Sequence, residues 1–239
     1  MAQPVVLRDG STAQDRRLAR IVQFDERSRN YPIRATIDPG LDPRSYTWRC
    51  DTHLDQGPNG ACVGFSMAHE LLARPSVVEG LDAQFAREKV YWEAQKIDPW
   101  GGGSYPGASP VYEGTSVLAG MKILQKLGYI DEYRWAFGLE DLIMAVGYKG
   151  PAVIGMPWYE GMFSPMPCGH IHVFGQPMGG HAILVKGVSI TRKTFTLHNS
   201  WGPAWGNDGD AFITWDEMDR LLHERGEAVI PVKRVRSPA

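Results

Sequence analysis

The segment DQGPNGACVGFS, residues 55–66, leads from a polar, glycine-containing turn into a cysteine and then into apolar sequence. Gly60 and Ala61 precede Cys62 and let another part of the chain approach the backbone closely. Apolar residues at helical spacing follow, so the pattern predicts a helix that begins at Cys62. A helix N-terminus stabilises a thiolate, and so does a neighbouring imidazolium. The segment therefore favours a reactive thiol over a buried structural cysteine.

Two apolar segments far downstream, GGHAILVKG (179–187) and TFTLHN (194–199), predict the partners of that thiol. A short polar stretch between them is typical of a hairpin turn. If the hairpin folds about residue 190, apolar positions face one another and fix the register. His181 then lies opposite Asn199 on one face, where an amide oxygen can orient an imidazole ring. The apolar pairs expected in this register are Ile183 with Leu197 and Val185 with Phe195.

The pattern of apolar residues divides the chain into three parts. Residues 1–46 form an N-terminal extension, and a short helix is predicted within it at about 11–24. Residues 47–148 have helical periodicity and carry the nucleophile, whereas residues 149–239 have strand patterns and carry the histidine and the asparagine. A cleft between a helical lobe and a β-rich lobe is the natural place for a site that draws on both.

Composition argues against several classes of function. The 239 residues have a formal net charge of -2, without a basic surface of the kind that recruits nucleic acid or an anionic membrane. No apolar run reaches the roughly 18 residues that span a bilayer, and the first residues lack the features of a secretory signal. The sequence therefore predicts a cytoplasmic or otherwise unexported protein with no nucleic-acid or membrane partner, and it leaves the oligomeric state open.

Three cysteines are too few for a disulfide scaffold. If Cys62 stays free, Cys50 and Cys168 could form a bridge or remain reduced, and the reduced alternative fits an unexported chain better. Cys168, His170 and His172 form a CxHxH pattern that could supply metal ligands, but it offers three groups without a fourth. We therefore predict an ordinary loop at this position and no metal site.

Together these motifs closely resemble the active-site segments of papain-like cysteine proteases. Gln56 precedes Cys62 by six residues, the spacing of the oxyanion-hole glutamine in that family. The segment NSWGPAWGNDG, residues 199–209, is similar to the family's Asn-Ser-Trp-Gly motif. The likeness covers roughly residues 46–230. It implies an α+β, two-lobed fold in which a helical lobe packs against an antiparallel, β-barrel-like lobe, with the active site in the cleft between them.

The resemblance also implies roles for four residues. Cys62 attacks the scissile carbonyl as a thiolate, and His181 delivers the proton to the leaving amine and then activates water. Asn199 orients His181, while the Gln56 side chain and the Cys62 backbone N–H hold the oxyanion. The implied activity is that of a cysteine endopeptidase acting on a protein or peptide substrate through a thioacyl-enzyme intermediate, with no cofactor.

Trp201 resembles the family's tryptophan that shields the histidine–asparagine contact from water, and Trp205 resembles the one that forms the wall on the leaving-group side. Two positions depart from the family's pattern. Asn59 replaces the cysteine that usually lies three residues before the nucleophile, so the family's structural disulfide is absent. Val63 replaces the aromatic residue that usually follows the nucleophile. Neither change removes a group that transfers a proton.

The resemblance gives a less detailed expectation for substrate recognition. Gly114 occupies the place of the family's glycine that pairs with the substrate backbone. Gly155 and Gly180 are expected to border the pocket for the residue two positions before the cut. Small residues there predict a roomy, uncharged pocket that accepts a bulky apolar side chain.

Three alternatives remain open at the level of sequence. An enzyme on the same scaffold could transfer the acyl group to an amine or cut a non-peptide amide, since the acyl-enzyme step is shared. A binding module could keep the fold without turnover, although retention of all four catalytic residues argues against it. The N-terminal extension is short for the inhibitory prosegment of many relatives, so either no pro-domain exists or this arm lies in or near the cleft.

Overall fold

A long strand, β6 (Pro177–Ser189), runs through the middle of the fold and carries the histidine expected to be catalytic. The computed structural model describes residues 4–234. The other strands are β1 (Val5–Val6), β2 (Thr12–Ala13), β3 (Tyr46–Thr47), β4 (Ile130–Ala136), β5 (Ala152–Tyr159), β7 (Thr194–His198), β8 (Asp210–Thr214) and β9 (Glu227–Arg234). The main sheet is antiparallel in the order β4-β9-β5-β6-β7-β8, with β3 paired to β6, and β1 pairs with β2 separately.

The main sheet is open rather than barrel-like. Its edges are β4 and β8, and no pairing within residues 4–234 joins them. Closure into a barrel requires the edge strands to hydrogen-bond to each other, so the expectation of a barrel-like lobe is wrong in this detail. Strand β4 joins the sheet from within the stretch that helical periodicity assigned to the first lobe. The division of the chain after residue 148 stays a prediction.

The helices follow local signals in the sequence. Helix α1 begins at Cys62, as predicted, and all of its residues are buried. Ser116 caps α3 by accepting a hydrogen bond from the Ala119 N–H (3.0 Å), and Thr214 and Glu217 form a capping box on α5. A π-helical segment, Phe85–Tyr91, continues directly into α2. The α-helices are α1 (Cys62–Leu72), α2 (Trp92–Ile97), α3 (Val117–Lys126), α4 (Leu139–Tyr148) and α5 (Trp215–His223). None of the described helices is long and apolar enough to cross a membrane.

The two faces of the sheet are buried against different layers. Ala182 and Leu184 of β6 belong to the apolar cluster that includes α1 and α3, whereas Ile183 and Val185 belong to the cluster that includes α4 and α5. Alternate side chains of a strand point to opposite faces, so β6 is covered on both sides. Burial of each such aliphatic side chain contributes roughly 1.5–3 kcal/mol. This double packing presses the N-terminus of α1, with Cys62, against β6.

The hairpin of β6 and β7 forms, but its register differs from the predicted one. Val185 pairs with Leu197, two positions away from the expected partner, and a bulge follows between Val185 and Gly187. Beyond the bulge, Val188 pairs with Phe195. The extra residue in β6 could not be read from apolar alternation, because this strand is apolar on both faces. A two-residue displacement keeps the same face, so the histidine and the asparagine still meet as diagonal neighbours.

The N-terminal arm, residues 4–24, is extended and does not form the helix predicted at about 11–24. Leu18 and Ile21 are buried, as an apolar helix face would be, but they are held by other parts of the chain. Ala19 forms a parallel bridge with Gly180, and Arg20 forms one with Thr115. These partners lie far away in sequence, so tertiary pairing overrides the weak local helical preference.

Candidate active site

The four residues predicted to carry the chemistry converge in the cleft between α1 and the sheet. Cys62 is the first residue of α1, His181 lies on β6, and Asn199 follows β7 directly. Gln56 lies in the loop before α1. All four are fully buried. The predicted nucleophile thus lies at a helix N-terminus, and the predicted base lies on the sheet.

The histidine is oriented by the asparagine amide. His181 Nε2 lies 2.8 Å from Asn199 Oδ1. The Ser200 N–H donates to the same atom at 2.8 Å, which identifies it as the amide oxygen. Nε2 must therefore carry the proton, and Nδ1 is left as the basic nitrogen. Buried Nδ1 accepts no hydrogen bond from the described residues, so it is free to receive a proton.

Two tryptophans pack against this histidine, and a third packs behind them. The ring centroids of Trp201 and Trp158 lie 5.0 Å and 4.7 Å from that of His181. Trp205 packs edge-on against Trp201 at 5.8 Å, and its indole N–H donates to the Phe163 carbonyl at 2.9 Å. Trp201 thus lies against the ring of His181, and Trp205 lies behind Trp201. The roles of these two tryptophans at the site stay predictions. Trp158 was missed, because a tryptophan in an apolar strand gives no sign that it borders a site.

The Gln56 side chain is held as a hydrogen-bond donor. The Ser200 hydroxyl donates to Gln56 Oε1 at 2.8 Å, and the Gln56 N–H donates to the Ser200 carbonyl at 2.8 Å. The amide nitrogen therefore points the other way, where it donates to the Arg17 carbonyl at 3.2 Å and to the Asn59 carbonyl at 2.6 Å. A carbonyl oxygen thus already lies against the predicted oxyanion donor. Ser200 was missed, although it lies inside the recognised NSWG segment.

Burial shifts the pKa values of Cys62 and His181. Loss of solvent raises the pKa of the Cys62 thiol, against backbone hydrogen bonds from Ala182, Ala19 and Val63 that lower it. Burial also lowers the pKa of His181 to about 4, outweighing the hydrogen bond to Asn199. Burial therefore favours the neutral thiol and the neutral imidazole over the thiolate and the imidazolium.

The N-terminal arm contributes to this burial. The Arg20 N–H donates to the Gly180 carbonyl at 2.9 Å, and Thr115 exchanges hydrogen bonds with Ala19 and Ile21 at 3.3 Å and 2.9 Å. The arm packs so closely on Gly60 that a side chain there would not fit, since a Cβ on Gly60 would lie 2.6 Å from Ala19 Cβ. The arm therefore lies along the cleft as a peptide strand, against the residues predicted to be catalytic.

Two of the three glycines predicted to recognise substrate touch the arm at Arg20. A Cβ on Gly155 would collide with the Arg20 side chain, and one on Gly180 would collide with its carbonyl. Arg20 enters the pocket beside Gly155 and forms an ion pair there with Glu227, at 2.7 Å. The expectation of an uncharged pocket is therefore wrong. Glu227 was missed because it begins a strand remote in sequence, and only the pairing of β5 with β9 brings it opposite Gly155.

Gly114 is placed differently. Its N–H donates to the Tyr91 hydroxyl at 2.9 Å, and its carbonyl accepts from the Gln95 side chain at 3.1 Å. Its φ of +103° suits glycine, and a Cβ would lie 2.8 Å from the Ala19 carbonyl. The neighbouring residue, Thr115, provides the backbone groups that pair with the arm. A role for Gly114 in pairing with substrate stays a prediction.

The three cysteines form no disulfide bond. Cys50, Cys62 and Cys168 are all unpaired, so the possible bridge between Cys50 and Cys168 is absent. His172 Nδ1 lies 3.1 Å from a carboxylate oxygen of Glu217. Within residues 4–234 no group of three or more His, Cys, Asp or Glu side chains is arranged to hold a metal ion.

Comparison with known proteins connects this geometry to one fold. No protein-family model matches the chain. An uncharacterized peptidase C1-like protein of Acanthamoeba polyphaga mimivirus is 20% identical over 242 aligned positions, covering 79% of this chain and 75% of that protein. Xylellain, a cysteine protease from Xylella fastidiosa, superposes with a TM-score of 0.65 at 16% identity and covers 98% of this chain and 99% of its own.

Two further solved structures share the architecture. Procathepsin L 3 from the larval midgut of Tenebrio molitor has a TM-score of 0.58 at 17% identity, over 92% of this chain and 77% of its own. The bromelain protease of Ananas comosus, solved with an inhibitor, has a TM-score of 0.55 at 16% identity, over 81% of this chain and all of its own. The predicted α+β, papain-like fold is therefore confirmed, and so is the resemblance on which that prediction rested.

Proposed function

We propose that this protein is a cysteine endopeptidase that hydrolyses peptide bonds through a thioacyl-enzyme intermediate, with Cys62, His181 and Asn199 as its triad. One observation supports this most strongly. A segment of the chain's own backbone lies in the cleft as a paired strand, and one of its carbonyls accepts a hydrogen bond from Gln56. A cleft that binds an extended peptide beside a helix-N-terminal thiol is suited to acyl transfer from peptides.

The chemical steps follow from the atoms in the site. His181 Nδ1 takes the Cys62 proton while the Nε2–H group keeps its hydrogen bond to Asn199 Oδ1. The resulting thiolate attacks the substrate carbonyl. The oxyanion lies between Gln56 Nε2 and the Cys62 backbone N–H, which carries the positive end of the α1 dipole. The protonated imidazole then gives its proton to the leaving amine. Water, activated by the same nitrogen, hydrolyses the thioester and restores the thiol.

The proposal includes a resting state in which the arm blocks this sequence of steps. The Arg17 carbonyl occupies the hydrogen bond of Gln56 Nε2, and Ala19 fills the space beside Gly60. The arm runs parallel to the segments it pairs with, at Gly180 and Thr115. Because the arm excludes water from Cys62 and His181, it also removes the stabilisation that solvent gives to their charged forms. Displacement of the arm is therefore required for full activity.

The test uses the full-length chain with Ala19→Trp and Arg20→Ala, here called the arm-displaced variant. An indole at position 19 cannot fit against Gly60, and loss of the guanidinium removes the ion pair with Glu227. We expect this variant to cleave a peptide library at least tenfold faster than the wild type. Addition of Cys62→Ala should abolish cleavage, and mass spectrometry should detect an acyl adduct on Cys62 in the active variant.

Two outcomes would contradict the proposal. A folded arm-displaced variant that neither cleaves peptides nor forms an adduct would exclude peptidase activity and favour the silent binding module. Transfer of the acyl group to an added amine, with no hydrolysis in its absence, would identify an acyltransferase instead.

A further inference from the structure

The pocket occupied by Arg20 has the chemistry of an arginine site. Arg20 Nη2 and Nε donate to Glu227 Oε1 at 2.7 Å and 3.0 Å, and Nη2 also donates to the Arg225 carbonyl at 3.0 Å. The Arg20 side chain is 2% exposed and that of Glu227 is 14% exposed. A guanidinium is planar, with several fixed donors, so a carboxylate beside a carbonyl is a matched acceptor set.

The residues that bind Arg20 lie in and around the main sheet and not in the arm. Glu227 and Gly155 lie opposite each other on β9 and β5, and Gly155 in turn pairs with Ala182 on β6. Val117, at the start of α3, closes the side of the pocket near Gly155. Displacement of the arm would therefore leave the pocket formed, with its carboxylate in place.

Displacement of the arm would leave the Glu227 carboxylate without its cationic partner. Arg20 is the ion-pair partner of Glu227 within residues 4–234, and burial raises the pKa of Glu227 while Arg20 lowers it. A mostly buried carboxylate is unfavourable without a partner, so the open pocket would attract an external cation or take up a proton. An apolar side chain would leave this charge unpaired, which disfavours the bulky apolar residue expected from sequence.

The pocket also has a fixed position relative to the catalytic residues. The backbone of Arg20 pairs with Gly180, which directly precedes His181, and lies beside Thr115 on the opposite wall. A substrate strand held by these same backbone groups would present one side chain to Glu227. By the resemblance described above, that side chain belongs to the residue two positions before the cut.

We propose that this pocket selects a substrate with arginine, or less strongly lysine, two positions before the scissile bond, and that Glu227 determines this specificity. The proposal rests on the proposed peptidase function. In the resting state, Arg20 of the arm fills the pocket in the way that an arginine side chain of the substrate would. The arm and the substrate therefore compete for one carboxylate.

The experiment compares two peptides that differ only in arginine or leucine at that position, with the arm-displaced variant as enzyme. We expect kcat/KM to be at least tenfold higher for the arginine peptide. Glu227→Gln should remove this preference by raising KM for the arginine peptide alone, and Glu227→Asp should retain part of it. Glu93→Gln, which alters a surface carboxylate paired with Lys96, is the matched control and should leave kcat/KM unchanged for both peptides.

A preference for leucine, or an arginine preference that survives Glu227→Gln, would overturn the proposal and leave the peptidase function standing. Hydrolysis of neither peptide would contradict the peptidase function itself. Binding without turnover can then be measured on the arm-displaced variant that also carries Cys62→Ala. Fluorescence anisotropy gives its affinity for labelled forms of the same two peptides, and equal affinities would overturn the proposal. If the arm-displaced variant does not fold, Arg20→Ala alone keeps the apolar contacts of the arm and permits the same measurements.

Discussion

Two buried histidines on neighbouring strands, His181 and His198, show how a partner decides what an imidazole does. Both are fully buried. His181 has an amide oxygen, Asn199 Oδ1, on one nitrogen and no hydrogen bond on the other. His198 has Asp210 Oδ1 at 2.7 Å from Nδ1 and the Thr52 carbonyl at 3.0 Å from Nε2. Both partners of His198 are acceptors, so both of its nitrogens must carry protons.

The pKa values of the two rings separate accordingly. Burial lowers the pKa of His181 to about 4, since a neutral amide compensates little. Burial is also the largest influence on His198 and acts in the same direction, but the hydrogen bond to Asp210 and the interaction with Cys50 together outweigh it and raise the pKa to about 9. His198 is therefore a fixed cation that links β7 to β8, whereas His181 can gain and lose a proton. An acid–base catalyst needs the second kind of environment.

The largest predicted effect is on catalysis by His181. In the arm-displaced variant, His181→Ala should lower kcat by roughly 10⁴-fold or more, because both proton transfers lose their carrier. His198→Gln should change kcat of the folded fraction by no more than a few-fold, although it destabilises the fold. Steady-state kinetics on samples of known folded fraction check this, and equal losses for the two variants would contradict the assignment.

The second effect is on stability. Asp210→Asn should lower the free energy of unfolding by about 3 kcal/mol, because it leaves the cation of His198 without its carboxylate. The same change removes the ion pair between Lys186 and Asp210, at 2.6 Å. Urea denaturation measures the loss. Asp131→Asn, at an exposed position of β4, is the control and should stay within about 0.5 kcal/mol of the wild type.

The pH dependence of stability should have two limbs of opposite sign. The folded pKa of His198 is about 9, above the ordinary value of 6.5, so its stabilising contribution is complete below pH 6.5 and is lost as the pH rises through 9. That loss amounts to about 3 kcal/mol. The folded pKa of His181 is about 4, so the unfolded chain binds more protons between pH 6.5 and 4, and stability falls as the pH drops through this window. Urea midpoints from pH 4 to 9.5 test both limbs, and a rise in stability above pH 7 would contradict the assignment to His198.

The smallest predicted effect concerns the orientation of Gln56. Ser200→Ala removes the hydroxyl that donates to Gln56 Oε1, so the amide can rotate away from the oxyanion. We expect a decrease in kcat of about tenfold in the arm-displaced variant, less than deletion of an oxyanion donor causes. Ser189→Ala, at the turn of the same hairpin, should leave kcat unchanged. An equal effect of both variants would show that the loss is structural.

Sequence reasoning predicted the convergence of Cys62, His181 and Asn199 because their signals are local. Cys62 begins a helix after a glycine-containing turn, and an even displacement in register still brings His181 to Asn199. Sequence reasoning failed where the contacts that determine the structure come from residues remote in sequence. The arm was predicted to be helical because Leu18 and Ile21 have helical spacing, whereas their actual contacts come from other parts of the chain. Glu227 became visible as part of a pocket only when the sheet placed it beside Gly155.

The most direct test of the central claim compares alkylation of two cysteines in one sample. Cys168 is exposed and serves as an ordinary surface thiol, whereas Cys62 is buried beneath the arm. Iodoacetamide at pH 7, followed by peptide mass spectrometry, gives both rates. In the wild type we predict faster modification of Cys168. In the arm-displaced variant we predict that Cys62 reacts faster than Cys168 and that His181→Ala removes this advantage. A Cys62 that stays slower than Cys168 in a folded arm-displaced variant would contradict its assignment as the activated nucleophile.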